Sequence, residues 1–302
     1  MSTVNVENRN RYALITGATS GIGYELAVLF AQDSYNLILV ARCEDRLQEV
    51  TNKLKQLYSV EVTPLAVNLF KSTAAQEIFR ATSDMGIQID VLVNNAGQGE
   101  WGPFAETALE RDMDIIQLNV NAPVALTRLY LPEMLRRNEG RILQMGSEAG
   151  TMPMPLLSVY AATKAFILSF SAALSEELRD TNVTVTALLP GATDTDFFHK
   201  AKQDDTVTYR EKPLLTPEKV ARDGYEALMK GKNRVISGAR TKLHVFEGEW
   251  LPTEKVASDA RKLNEPSSKG GGEKWPVHAA SMEERESIMG ETGSISGDRK
   301  RR

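Results

Sequence analysis

Tyr12-Ala-Leu-Ile-Thr16-Gly17-Ala-Thr19-Ser20-Gly21-Ile22-Gly23 runs an apolar segment into a glycine-rich turn, and an amphipathic stretch succeeds it from Tyr24 to Gln32. A strand, a glycine turn and a helix in immediate succession form the opening unit of a nucleotide-binding α/β sheet. Glycine allows tight turns and close approach of a phosphate. The new helix presents free N–H groups and the positive end of its dipole. The spacing is Gly-x-x-x-Gly-x-Gly rather than Gly-x-Gly-x-x-Gly. The alternative is an ordinary strand-to-helix turn; the position between a strand and a new helix favours the phosphate role.

Outward from that turn the same alternation repeats. Apolar runs at Asn36–Val40, Val60–Val67, Asp90–Val93, Gly140–Met145 and Val183–Leu189 predict strands. Between them, residues 45–57, 73–85, 123–137 and 159–179 predict helices, the first on Leu47, Val50, Leu54 and Leu57 at helical spacing. Near-continuous apolar strands alternating with helices imply a parallel sheet covered on both faces. Right-handed crossovers then give a single doubly wound α/β sheet, a Rossmann fold, with Arg234–Ile236 as a last edge strand. No internal repeat or linker interrupts the chain before residue 260, so the reading is an N-terminal tail (1–10), one domain (11–264) and a disordered C-terminal tail (265–302). The tail reading rests on Pro266-Ser-Ser-Lys-Gly-Gly-Gly-Glu273 and on the absence of any apolar period beyond it.

Composition narrows the classes. The 302 residues are 42% hydrophobic and 25% charged with net charge −4, which gives no basic footprint for nucleic acid. No uninterrupted apolar run approaches the roughly 20 residues of a membrane span, and the N-terminus lacks an apolar signal core. A single cysteine, Cys43, excludes an intramolecular disulfide and fits a reducing cytoplasm. His199, His244 and His278 are scattered, so no metal site is expected.

The second chemical segment is Ser158-Val-Tyr160-Ala-Ala-Thr-Lys164, with Ser147 thirteen residues before the tyrosine. On a helix, Tyr160 and Lys164 share a face, and no other tyrosine has a lysine four residues on. A phenol near its usual pKa of about 10 is a poor base at neutral pH; an adjacent ammonium would lower it toward the useful range. Ser147 can orient a substrate oxygen toward Tyr160. A pyrophosphate cradle and a proton-transfer group together imply hydride chemistry on a carbonyl or alcohol. The second predicted strand ends Val40-Ala41-Arg42 with no carboxylate before Glu44, so Arg42, aided by Thr19 or Ser20, is expected to accommodate a 2′-phosphate; NADP is favoured over NAD.

These elements resemble the short-chain dehydrogenase/reductase family in order and spacing. The matching segments are Thr16 to Gly23, Asn94-Asn95-Ala96-Gly97, the Ser147/Tyr160/Lys164 set, and Pro190-Gly191-Ala-Thr-Asp-Thr195. The resemblance covers about residues 10 to 240. It implies cofactor contacts from Gly17, Thr19, Ser20, Gly21, Ile22, Gly23, Arg42, Asn68, Leu69, Asn95, Ala96, Gly97, Tyr160, Lys164, Pro190, Gly191 and Thr195, and a proton relay through Asn119, with Asn121 as a competing match. It also implies a homodimer or homotetramer packed through 123–137 and 159–179. Asn68 stands where the family has Asp, Ala122 replaces a usual glycine, and Glu148 adds a charge beside Ser147. The substrate wall is expected from 98–101, 151–158 and the segment after Thr195, where Trp101, Met152, Met154, Leu156, Phe197 and Phe198 suit a medium-sized apolar ketone, aldehyde or hydroxy compound; several of them read equally well as core or subunit contacts. An acyl-thioester ketoreductase and a hydroxysteroid-type enzyme both remain open. The alternative outside enzymes is a cofactor-binding sensor or scaffold with little turnover.

Overall fold

In the computed structural model, which describes residues 5–267, seven parallel strands form one sheet in the order β3-β2-β1-β4-β5-β6-β7. They are β1 (Tyr12–Thr16), β2 (Asn36–Ala41), β3 (Val62–Ala66), β4 (Ile89–Asn94), β5 (Gly140–Met145), β6 (Val183–Pro190) and β7 (Arg234–Ser237). The first three strands step outward in one direction, and β4 then pairs on the other side of β1, with Leu14 opposite Leu92. Strand order thus reverses between β1 and β4. In open α/β sheets ligands bind at the carboxyl ends of the strands flanking such a reversal.

Apolar layers cover both faces. On one, α1 (Gly21–Gln32), α2 (Glu44–Leu57) and α9 (Pro217–Met229) bury Leu26, Phe30, Leu47, Leu54 and Leu228 against Ile15, Leu37, Leu39 and Val93. On the other, α3 (Ala74–Asp84), α5 (Ala122–Arg137) and α6 (Ser158–Glu177) close over Leu14, Ile38, Leu92 and Ile142. Every strand and helix expected between residues 12 and 237 is present, with ends within three residues of the predicted ones. By length and composition alone α6, with a mean hydropathy of 1.2, could cross a membrane. In this fold it carries the buried Lys164 and Thr163 and packs against β6.

Three features were not foreseen. α4 (Leu109–Ile116) runs into α5 through a π-helical turn, Gln117–Asn121. Two short helices, α7 (Asp196–Lys200) and α8 (Val207–Glu211), come after β6. Beyond β7 the chain forms α10 (Ala239–Trp250) and α11 (Thr253–Asn264), an arm laid over the carboxyl edge of the sheet. At the other end, Asn5 and Asn8 donate to the Asp33 carboxylate, both at 3.0 Å, so residues 5–8 are bonded to the body of the domain. Of the predicted C-terminal tail, all beyond Ser267 lies outside the described residues.

Candidate active site

The floor of the site is a hydrogen-bonded weld between the two strands at the reversal. Thr16 Oγ1 donates to the Val93 carbonyl and accepts from the backbone N–H groups of Asn95 and Ala96, both at 3.0 Å. The Asn95 amide returns to the Thr16 carbonyl at 2.8 Å and the Gly17 carbonyl at 3.3 Å. Gly17 and Gly21 take φ of +68° and +55°, the left-handed region that glycine reaches without strain. A methyl group on Gly23 would collide with Asn95 Nδ2 and the Gly17 carbonyl. Ser20 caps α1 through its backbone alone, so its side chain leaves the first-turn N–H groups free for a ligand. Asn94 is buried and donates to Thr127 Oγ1 on α5 at 3.1 Å, fastening β4 to the helix behind it.

A cavity of about 1040 Å³ opens above this floor. Gly17, Thr19, Ser20, Gly21, Ile22, Gly23, Arg42, Leu69, Asn95, Ala96, Gly97, Pro190, Gly191 and Thr195 line it, and so do Ser147, Tyr160 and Lys164. The structure therefore brings the two chemical segments to one space. Two of the expected residues do not line it. Asn68 turns back to accept the Phe70 backbone N–H at 3.2 Å, a local Asx turn that occupies its side-chain oxygen, and its neighbours Val67, Leu69 and Phe70 form the wall. Asn119 is buried in the π-helical turn, where it accepts from Gln98 N (3.1 Å) and donates to Gln98 O (2.9 Å) and Thr163 Oγ1 (3.0 Å). Its rival Asn121 only bonds Gln117 on the exposed helix face.

Ser147 begins a 3-10 turn, Glu148–Thr151, and its hydroxyl accepts the Ala149 N–H at 3.2 Å. Tyr160 lies in the first turn of α6 with its ring 5.0 Å from that of Phe197. Lys164 is 3% exposed; its ammonium donates to the Met145 carbonyl at 2.8 Å and sits 5.7 Å from the Tyr160 ring centroid. A methyl on Gly97 would press on both Lys164 Nζ and Asn119 Oδ1 at 3.3 Å, so the two groups converge on one gap.

The expected acidification of the phenol is not found. Burial pushes Tyr160 up to about 12; the hydrogen-bonded Ser147 hydroxyl pulls it down, and the Glu148 carboxylate adds to the rise. Burial also draws Lys164 down to about 8. Burial governs both shifts, and the ammonium donates to the Met145 carbonyl rather than to the phenol. In the chain by itself the phenol is a proton donor across the physiological range.

The substrate end also departs from expectation. Met152, Met154, Phe197 and Phe198 line the cavity, but Trp101 and Leu156 do not. Trp101 donates its indole N–H to the Asn264 carbonyl at 2.7 Å, tying the loop after β4 to the end of α11. Leu251, Val256, Ala260 and Leu263 of the C-terminal arm supply the missing apolar wall. Arg46 and Cys43 line the cavity near Arg42, whose guanidinium rests 4.8 Å from the centroid of the Phe70 ring. His244, one of the three scattered histidines, pairs with Glu148 at 3.0 Å. The sequence predicts no helix beyond residue 237, and nothing local ties the arm to this edge of the sheet.

Comparison with known proteins agrees with this geometry. The model of the short chain dehydrogenase family matches residues 11–206. A very-long-chain 3-oxoacyl-CoA reductase of Laccaria bicolor is 37% identical over 179 residues, 59% of this chain and 53% of that protein. An uncharacterized oxidoreductase of Bacillus subtilis is 35% identical over 193 residues, 64% of this chain and 72% of that protein. The chain spans little more than half the length of the first of these. Among solved structures, a short-chain dehydrogenase from Sphingobium yanoikuyae in complex with NADPH has a TM-score of 0.72 at 27% identity, covering 86% of this chain and 99% of that one.

Proposed function

Because this chain belongs to the short-chain dehydrogenase family, whose members are oxidoreductases acting on carbonyl and hydroxyl groups, we propose that it is an NADP-preferring reductase of a bulky apolar carbonyl compound. The observation that carries the reading is that Ser147, Tyr160 and Lys164 line the same cavity as the Gly17–Gly23 turn. The residues present suit a dinucleotide: the Gly17–Gly23 turn lines the cavity, and the first turn of α1 is open. The Gly17–Gly23 turn, Asn95, Lys164 and Thr195 would hold the cofactor, which supplies the hydride when bound. Arg42 just past β2 and Arg46 in the first turn of α2 offer guanidinium groups to a 2′-phosphate, and the Sphingobium neighbour's NADPH supports that preference.

The rest is the work of this chain's side chains. The Ser147 hydroxyl donates to the substrate oxygen and fixes its direction. The Tyr160 phenol, held protonated by burial, gives its proton to that oxygen as the carbonyl is reduced. The Lys164 ammonium stabilises the phenolate left behind, and the gap it shares with Asn119 beside Gly97 is the route by which a proton returns. Met152, Met154, Phe197, Phe198 and the C-terminal arm exclude water from this exchange. Their apolar character favours a long or bulky substrate, and the Laccaria relative, named for a very-long-chain acyl substrate, supports that size.

Tyr160→Phe should remove nearly all NADPH-dependent turnover across a panel of bulky ketones while leaving NADPH binding intact. Persistent turnover would refute the assignment. Tight NADPH binding by the wild type with no turnover on any substrate would mark a sensor instead. Exposed Leu109 and Met113 on α4 and Phe166 on α6 support assembly with a second copy, to be read from the mass in light scattering; a monomer would refute it.

A further inference from the structure

The C-terminal arm meets the catalytic machinery at one point. There α10, the 3-10 turn after Ser147 and the loop after β6 come together. Gly191, on that loop, approaches so closely that a methyl on it would collide with Thr241 Oγ1 of α10 and lie 3.4 Å from Glu148 Oε1. Further along the helix, a methyl on Gly248 would lie 2.9 Å from the Thr151 carbonyl. Between these two contacts Glu148 Oε2 meets His244 Nδ1 at 3.0 Å, with the two side chains 18% and 24% exposed. Glu148 directly succeeds the serine that orients the substrate oxygen, and Tyr160 lies within reach of its charge.

We propose that Glu148 and His244 form a positioning couple of the active site, in which the imidazole holds α10 against the Ser147 turn and offsets the carboxylate that faces Tyr160. The couple rests on the reading of Tyr160 as the proton donor. Neither residue touches the reacting atoms; each acts through Tyr160 and through the wall that α10 supplies.

The charges around His244 fit this role. Its hydrogen bond with Glu148 raises its affinity for a proton, burial opposes the rise, and Glu247 on its own helix adds to it. Arg240 opposes it and donates to Nε2 at 3.4 Å, a bond that only the neutral imidazole accepts. From the neighbouring elements, Arg234 of β7 is taken up by Glu249 at 2.9 Å, and Lys262 of α11 by Asp259 at 2.9 Å. Lys255 of α11 lines the same cavity. Protonated, His244 gives Glu148 a full counter-charge; neutral, it still donates from Nδ1, so the clamp persists while the offset fades as pH rises.

The two halves of the couple predict different electrostatic effects. In Glu148→Gln the charge facing Tyr160 is gone, so the tyrosine limb of the kcat–pH profile moves to lower pH. In His244→Gln the limb stays near its wild-type position, because the wild-type imidazole is already neutral at the high pH where the phenol titrates. His244→Ala also releases α10, and KM for a bulky ketone should rise about three- to tenfold, as expected for the loss of a half-buried charge-assisted hydrogen bond. Glu148→Gln and His244→Gln keep a neutral hydrogen bond and should raise KM less. A limb that does not move in Glu148→Gln, or that moves as far in His244→Gln, would overturn the couple, because a purely structural contact moves KM alone.

A second reading does not depend on turnover. The imidazole C2–H resonance absent from the His244→Gln spectrum identifies His244. It should titrate above the ordinary 6.5 in the wild type and lower in Glu148→Gln. An unchanged titration would overturn the couple. A wild type that reduces no substrate would defeat the proposed function, and the titration would still decide whether the pair is coupled.

Discussion

Replacing Lys164 by methionine should destroy turnover and stabilise the cofactor-free protein, and the size of the gain can be worked from burial. The ammonium titrates at 10.5 in the unfolded chain and near 8 in the fold, with desolvation as the cause. Between those pH values the unfolded chain holds a proton that the folded chain does not, so stability rises with pH. Below about pH 8 the cost of burying the charge is complete; above 10.5 it is absent. At about 1.4 kcal/mol for each tenfold change in proton affinity, the cost at pH 7 is about 3 kcal/mol. Methionine fills much the same volume with no charge, but it gives up the bond to the Met145 carbonyl, worth about 1 kcal/mol. The net gain is then about 2 kcal/mol, or roughly 4–8 °C in Tm for a domain of this size. Urea unfolding of wild type and Lys164→Met without cofactor, from about pH 6 to about pH 11, measures it. The difference should favour the variant at low pH and shrink, then reverse by the lost hydrogen bond, near the top of the range. A variant less stable than wild type at neutral pH, or a difference that does not change with pH, would refute the reasoning.

The glycines make a matched pair. Gly23→Ala pushes a methyl into Asn95 Nδ2 and the Gly17 carbonyl and should weaken NADPH binding about tenfold or more, through an overpacking cost of about 1–3 kcal/mol at the floor. Gly86→Ala, at φ +66° with nothing within 4 Å, should lower stability by about 1 kcal/mol and leave NADPH affinity unchanged; calorimetric titration separates the two. Arg42→Ala should weaken 2′,5′-ADP binding about tenfold, in line with a lost charge-assisted contact of about 1.5–3 kcal/mol, and leave 5′-AMP binding almost unaltered. Equal losses for both nucleotides would remove the basis for an NADP preference.

Where a residue's role is set by its immediate neighbours, the sequence was readable. The Gly17–Gly23 turn lies between a strand and a helix that are both evident locally, and Ser147, Tyr160 and Lys164 reach one cavity because a parallel sheet puts every strand's carboxyl end on the same edge. Asn68 stands outside the cavity lining, its side-chain oxygen taken by a backbone N–H two residues away. The π-helical turn at Asn119 is stabilised by Gln98 and Thr163, both distant in the chain, so no local pattern announces it. The C-terminal arm was harder still. Within α10 only Thr241 and Val245 are buried, while Leu243, Phe246 and Trp250 face outward, so its apolar period does not mark the face that meets the body.

The sharpest gap lies in electrostatics. The spacing of Tyr160 and Lys164 names a charge partner but carries no information about the medium between them. In the fold both groups are desolvated, and burial is the largest cause of the shift in each. Protonated tyrosine is the form that reduction needs, and the form that oxidation must first spend free energy to remove. Without bound cofactor, the phenol is therefore held in the form that a proton donor needs.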